Sequence, residues 1–376
     1  MRENDPSTIL ENLHRRISRR LSTPIIRNEE IRLKVEQVCK QSNNRACARL
    51  LMACLLAKIH KPTLDPRKPY TEIGTNDSFS GRTYDEKYIT KFINKHNLPL
   101  NSTTAFLTPA FRNLDRPLTL DTELIGRPRQ LYRTTLELLN LVYEEQVQTE
   151  DLLAEIIRVL INIRNENKAT LQTLQKRLIA IHNDLPLSSE EIVSLIEQHL
   201  RCKNSSRLPV LVVAAAYASV SKRIKEQIRP LQSHTAADQQ TGSLGDIEIC
   251  VENDDRIVTV YEMKTKPVSV EDINRAITKI SSYDQKIDNY IFITTEVVSD
   301  EIKSYAASCY EHNSGVEIAI LDCIGFLRHF LHLFHRSRVE FLDTYQELLL
   351  REPESAVSQA LKEAFLNLRL NAETRE

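Results

Sequence analysis

Three observations predict an α/β (α+β) fold, a mixed sheet flanked by helices, with a largely helical N-terminal domain. Helix-period apolar runs dominate the first 200 residues. Downstream of Gly245, two alternating strands precede a helix-strand-helix-strand succession, the pattern of a mixed sheet with helices packed on it. Only seven glycines occur in the 376 residues, which suits a chain rich in helix.

Residues 1–23 read as an Arg-rich helix with apolar residues at Ile9, Leu10, Leu13, Ile17 and Leu21. Arg15, Arg16, Arg19 and Arg20 then form a solvated basic face. A second helix is expected over 28–59, where "ARLLMACLLAKI" is apolar nearly all round and so buried. Residues 60–118, with prolines at 62, 66, 69, 99, 109 and 117, read as irregular, and long irregular segments tend to carry function. Within them "GTNDSFSGRTYDEKYI" offers Asn76, Asp77, Ser80 and Arg82, and "DEKYITKFINKHNLP" offers a basic helix suited to backbone contacts. From 129 to 199 the helical pattern returns, with Thr149-Glu150-Asp151 and Ser189-Glu190-Glu191 placing acceptors and carboxylates in first turns.

"KNSSRLP" marks the main boundary, which divides the chain into a helical domain 1–205, a second domain 206–352 and a C-terminal helix and tail 353–376. A buried helix follows and stops at Pro230. Strands are expected at 246–252 and 257–264, a helix from Val270 capped by Ser269, a strand at 290–295, a helix from Asp300 capped by Ser299 and a strand at 316–322. One long helix, from Ile324 to Leu350, closes the unit.

Charge is balanced, 50 Lys and Arg against 51 Asp and Glu, so affinity for nucleic acid has to come from local patches. No apolar run reaches the length of a membrane span and the first residues have no apolar signal core, which points to a cytoplasmic protein. The seven cysteines (39, 47, 54, 202, 250, 309 and 323) form no C-x-x-C pair and read as buried thiols. No P-loop pattern is present, which excludes ATP-driven translocation of the usual kind.

The chemistry concentrates in "GSLGDIEICVENDDRIVTVYEMKTK". Alternation puts Asp246, Glu248 and Cys250 on one face of the first strand, and Glu262 and Lys264 on one face of the second. A hairpin then brings Asp246 and Glu262 together at one edge, a donor set suited to Mg2+, which takes oxygen ligands and keeps several waters. Lys264 is placed to orient a water or to neutralise charge on phosphorane oxygens. A surface hairpin with ordinary exposed charges fits the same spacing.

Asp246 followed sixteen residues later by Glu262-Met263-Lys264, a helix and a strand resembles the PD-(D/E)XK nuclease superfamily. The stretches "GTNDSFSGRTYDEKYI", "TGSLGDIEI", "VYEMK", "IDNYIFITTE" and "ILDCIGFLRHFLHLFHR" together resemble the SacI family of type II restriction endonucleases, over about residues 45–370. The resemblance implies a Mg2+-dependent homodimer cutting both strands of DNA at a short palindrome, with a cognate DNA methyltransferase in the same system. Asp246 and Glu262 then hold metal and Lys264 is the catalytic lysine. Glu226, on the preceding helix, and Glu248 are candidates to support them, and Lys266 is a phosphate contact. Asn76, Asp77 and Arg82, with Ser80, are candidate base readers, because Arg and Asn match guanine and adenine edges. Two departures stand out: Gly245 replaces the Pro that often precedes the first Asp, and no strand is visible between Pro230 and Gly245.

His329, His332 and His335 lie three apart on one helix without a carboxylate or cysteine at zinc spacing, and His234 is a loop histidine with no evident partner. Two rival readings stay open: a structure-selective repair nuclease of the same superfamily, and a non-catalytic DNA-binding protein.

Overall fold

The computed structural model describes residues 5–41, 44–101, 104–181, 185–231, 243–313 and 315–374, so His234 and Gly242 lie outside the described residues. The chain divides into two compact units, Met1–Ala169 and Thr170–Glu376. The expected boundary at 205/206 lies downstream of this division, because the helix over Ser189–Leu200 contributes Ile192, Val193, Leu195 and Ile196 to the core of the second unit.

The first unit is helical: α1 (Pro6–Ser18), α2 (Glu29–Lys40), α3 (Ala46–His60), α4 (Gly81–Tyr84), α5 (Thr90–Lys95), α6 (Arg129–Tyr143) and most of α7 (Thr149–Ile179). Asp5 and Asn28 cap α1 and α2 through their side chains. The single helix expected over 28–59 is two, because Gln41 is extended and ends α2 before Arg45 opens α3. α3 is buried on every side from Ala46 to Ala57, as its composition predicts. A π-helical stretch, Asp85–Ile89, joins α4 to α5 and turns Asp85 into the core. There Arg49, fully buried on α3, donates from Nε to Asp85 Oδ1 at 2.5 Å and also binds the Asn101 carbonyl and Thr90. Thr104 Oγ1 and Ala105 N donate to the other carboxylate oxygen at 2.6 and 2.8 Å.

The second unit contains α8 (Ser189–Leu200), α9 (Leu208–Ile224), β1 (Glu226–Ile228), β2 (Ile247–Val251), β3 (Ile257–Lys264), α10 (Val270–Ser281), β4 (Asn289–Thr294), α11 (Asp300–His312), β5 (Glu317–Asp322), α12 (Cys323–Leu333), α13 (Arg338–Arg351) and α14 (Gln359–Thr374). The long closing helix expected from Ile324 breaks at Phe334 into α12 and α13. The strands lie in the order β1-β2-β3-β4-β5, antiparallel through β3 and parallel from β3 to β5.

Side-chain alternation builds a core on each face of this sheet. Ile247, Ile249, Tyr261, Ile291 and Ile293 pack with α8, α9, α12, α13 and α14. Val260, Tyr290, Phe292, Ile318 and Ile320 pack with Ile273 and Ala276 of α10 and with Ala306 and Cys309 of α11. At roughly 1.5–3 kcal/mol for each large apolar side chain buried, these two cores supply most of the unit's stability. Six of the seven free cysteines are buried, and burial pushes the Cys39, Cys47 and Cys323 thiols up to about 12, leaving them unreactive at neutral pH.

His199 locks α8 to α13 and α14. Its Nε2 faces the Leu361 carbonyl at 3.0 Å, which can only accept, so Nε2 carries the proton and Nδ1 accepts from Tyr345 Oη at 2.9 Å. Burial pulls its pKa from 6.5 down to about 4. Between those values the unfolded chain binds a proton that the folded chain does not, so His199 stabilises fully above about 6.5 and loses its contribution as pH falls. The expected loss is about 3 kcal/mol by pH 4. Urea unfolding of wild type and His199→Gln across this range checks it, the Gln chain showing the flatter pH dependence.

Candidate active site

The β2–β3 hairpin places the two carboxylates. Ile247 pairs with Tyr261, and Asp246, just before the strand, donates from N to the same Tyr261 carbonyl at 2.8 Å, which brings it beside Glu262. Met263 N returns a bond to Asp246 Oδ2 at 2.7 Å, which fixes the Asp246 rotamer. A neighbouring like charge and burial both disfavour an ionised carboxylate. The Glu262 carboxyl accordingly sits above its ordinary range, through burial first and then through the Asp246 charge.

Cations surround the pair. Lys264 Nζ lies 3.2 Å from Glu262 Oε1 and 3.1 Å from Asp272 Oδ1, bridging the end of β3 to the first turn of α10. Burial works against its charge, but Glu262 and Asp272 outweigh that and hold the ammonium above the usual lysine range. Lys279, on the same face of α10 two turns beyond Asp272, reaches to 4.0 Å from Glu262 Oε2. Tyr290 Oη donates toward the Leu244 carbonyl at 3.2 Å and lies 3.4 Å from Glu262 Oε2.

Asp272 has two duties. It completes a capping box with Ser269 at the start of α10 and also holds Lys264. Burial resists its ionisation, yet the Ser269 backbone and hydroxyl donors and Lys264 bring its pKa down to about 2. The Ser269–Asp272 cap is legible in the sequence, whereas its reach to Lys264 is a tertiary contact. The signal for Lys279 is its seven-residue spacing from Asp272, which is two helical turns.

Glu248 is buried, and its Oε1 accepts from Leu244 N at 2.8 Å and Ser243 Oγ at 3.1 Å. It pins the turn that delivers Asp246. Gly245 in that turn has no room for a side chain: a Cβ would meet the Tyr261 carbonyl oxygen at 2.7 Å and Val260 Cγ1 at 2.6 Å. Gly245→Ala is therefore expected to cost about 1–3 kcal/mol, measured as a lowered urea midpoint for the second unit. Gly245→Pro, though it brings back the motif's usual residue, is expected to lose stability for the same reason.

Glu226 requires a correction. It is on β1, not on a helix, because α9 ends at Ile224 where Lys225 turns left-handed at φ 55°. The strand sought between Pro230 and Gly245 is instead β1, which lies upstream of Pro230. Glu226 pairs with Val251, at the end of β2 remote from Asp246, and Ile228 two residues on packs against the opposite core. Alternation thus gives Glu226 the face away from Glu262.

The other candidates have surroundings of their own. Lys266 is exposed, two residues beyond β3. In the first unit, Asp77 binds Lys68 at 2.7 Å, Ser80 caps α4 by accepting from Thr83 N, and Arg82 pairs with Glu86 at 2.7 Å with over half its side chain exposed. Asn76 is exposed. The three histidines diverge: His332 meets Glu190 at 2.9 Å, His335 meets Ser189 at 3.2 Å, and His329 lines a cavity at the ends of β4 and β5. Among the described residues no group of three or more His, Cys, Asp or Glu is poised to hold a metal, so any ion here rests on the Asp246–Glu262 pair. Two carboxylates fit Mg2+, whose remaining ligands are waters and substrate phosphate.

One comparison with known proteins bears on this geometry. Residues 185–296 match the SacI restriction endonuclease C-terminal domain. The matched stretch carries Asp246, Glu262, Lys264, Asp272, Lys279 and Tyr290, and runs from the start of α8 through β4. It supports a restriction endonuclease, and thereby a nuclease with DNA as partner. The SacI domain match does not extend over the first unit. No curated protein matches the chain. No helix among the described residues is long and apolar enough to cross a membrane.

Proposed function

We propose that the chain is a type II restriction endonuclease of the PD-(D/E)XK kind, a cytoplasmic enzyme that uses Mg2+ to hydrolyse both strands of DNA at a short palindromic site. The observation that carries this reading is the cross-strand pair of Asp246 and Glu262 with Lys264 one side-chain repeat further on, inside the stretch that matches the SacI domain. The sheet order, antiparallel into β3 and parallel out of it, supports the superfamily assignment.

Asp246 and Glu262 hold the metal. Mg2+, when bound, polarises the scissile phosphoryl group and lowers the pKa of a coordinated water. Lys264 presents its ammonium to the phosphoryl oxygens as negative charge builds on them. Asp272 and Glu262 aim that ammonium, and Glu248 holds the turn before Asp246. Lys266 contacts a flanking phosphate, while Asn76, Asp77, Ser80 and Arg82 read base edges. A palindromic target calls for a two-fold homodimer, and a cognate methyltransferase protects the host's own sites.

Digestion of unmethylated phage DNA with Mg2+ tests the reading. Discrete, reproducible bands support it; a smear sinks sequence specificity, and uncut DNA under Mg2+ and Mn2+ sinks the nuclease assignment.

A further inference from the structure

The first unit contains a cavity of about 740 Å3 lined by residues between Leu120 and Leu136. Three guanidinium groups line it, from Arg127, Arg129 and Arg133, all exposed. Glu123 is the one carboxylate among its lining residues. Arg133 has a partner, Glu137 at 3.5 Å. The side chains of Arg127 and Arg129 make no ion pair or hydrogen bond among the described residues. Three cations with so little internal compensation repel one another, a cost that an anionic ligand removes.

The wall that carries them is built rather than incidental. Gly126 passes directly over the Tyr132 ring, where a Cβ would sit 2.1 Å from a ring carbon. Asn44 ties the two together, donating to Tyr132 Oη at 2.6 Å and to the Arg127 carbonyl at 3.2 Å. Arg129 and Arg133, four apart on α6, point along one helix face. Ile125, 82% exposed, stands at the edge as an apolar surface beside the charges. Planar guanidinium forks match phosphate oxygens two at a time.

We propose that this cavity grips the phosphodiester backbone of duplex DNA through Arg127, Arg129 and Arg133. The proposal rests on the endonuclease reading and gives it a sequence-independent anchor in the first unit, distinct from the base readers at 76–82. These arginines position the substrate and take no part in the cleavage chemistry.

The test measures affinity of the full chain for a labelled duplex in EDTA, by anisotropy, across a series of KCl concentrations. Removing one arginine that neutralises a phosphate is expected to flatten the slope of log K against log salt by about 0.9. Arg127→Gln and Arg129→Gln should each flatten it by that amount, and the triple variant with Arg133→Gln by about three times as much, equally on unrelated sequences. Arg201→Gln makes the same charge change on an exposed arginine of the second unit and should leave the slope at its wild-type value. Far-ultraviolet circular dichroism verifies that the variants are folded. A folded triple variant with the wild-type slope overturns the proposal while leaving the nuclease reading intact, and so does an Arg201→Gln shift as large as those in the cavity. A wild-type chain that binds no duplex in EDTA also overturns the proposal, while the digestion with Mg2+ decides the nuclease reading.

Discussion

Lys264→Ala and Asp246→Asn are each expected to reduce DNA cleavage by on the order of 10³-fold or more while leaving the protein folded. The two substitutions act differently. Asp246→Asn keeps the acceptor that receives Met263 N, so the hairpin holds its shape, but it halves the anionic donor set opposite Glu262. Lys264→Ala leaves that donor set whole and removes the ammonium between Glu262 and Asp272. Glu262 retains Lys279, and Asp272 retains Ser269 and Arg275, so neither carboxylate is stranded in the core. Single-turnover digestion of a plasmid with Mg2+, beside urea unfolding of each variant, checks both halves of the expectation. Undiminished discrete cutting by either variant would move the chemistry to other residues. Loss of cutting together with loss of folding would call for Lys264→Arg, which retains charge at the same place.

The largest expected effect on stability is in the first unit. Arg49 and Asp85 are both fully buried, and each is satisfied by the other and by groups drawn from the 90–105 stretch. Removing one partner leaves a buried charge without its counter-charge, which costs about 3–5 kcal/mol. Arg49→Met and Asp85→Asn should each lower the urea midpoint of the first unit's transition with little change in its slope. The double variant Arg49→Met/Asp85→Asn should lose distinctly less than the sum of the singles, because it strands no charge. Additive losses would mean that the two side chains are not coupled.

What was legible in the sequence follows from how local each cause is. Strand alternation and the two Ser caps depend on neighbours a few residues away, so β3 and the starts of α10 and α11 fall where the pattern places them. Asp246, Glu262 and Lys264 could be grouped because a hairpin converts sequence spacing into proximity. β1 escaped detection because it has only three residues and follows a left-handed Lys225, a conformation that a lysine does not advertise. The break at Phe334 occurs without Pro or Gly, and the one at Gln41 is announced only by the Ser-Asn-Asn that follows it. The contacts of Asp272 with Lys264 and of Lys279 with Glu262, and the buried Arg49–Asp85 pair, are products of packing between elements that no one-dimensional period relates.

The turn at 253–256 sits at the far end of the β2–β3 hairpin from Asp246. Because the hairpin brings the two acids together, their sixteen-residue separation is not a chemical constant. Paired extensions of both strands, or a longer turn, would change that interval while leaving the carboxylates facing each other. A search for chains that share this chemistry should therefore fix the Glu-x-Lys end and the Gly-Asp start, and let the distance between them float.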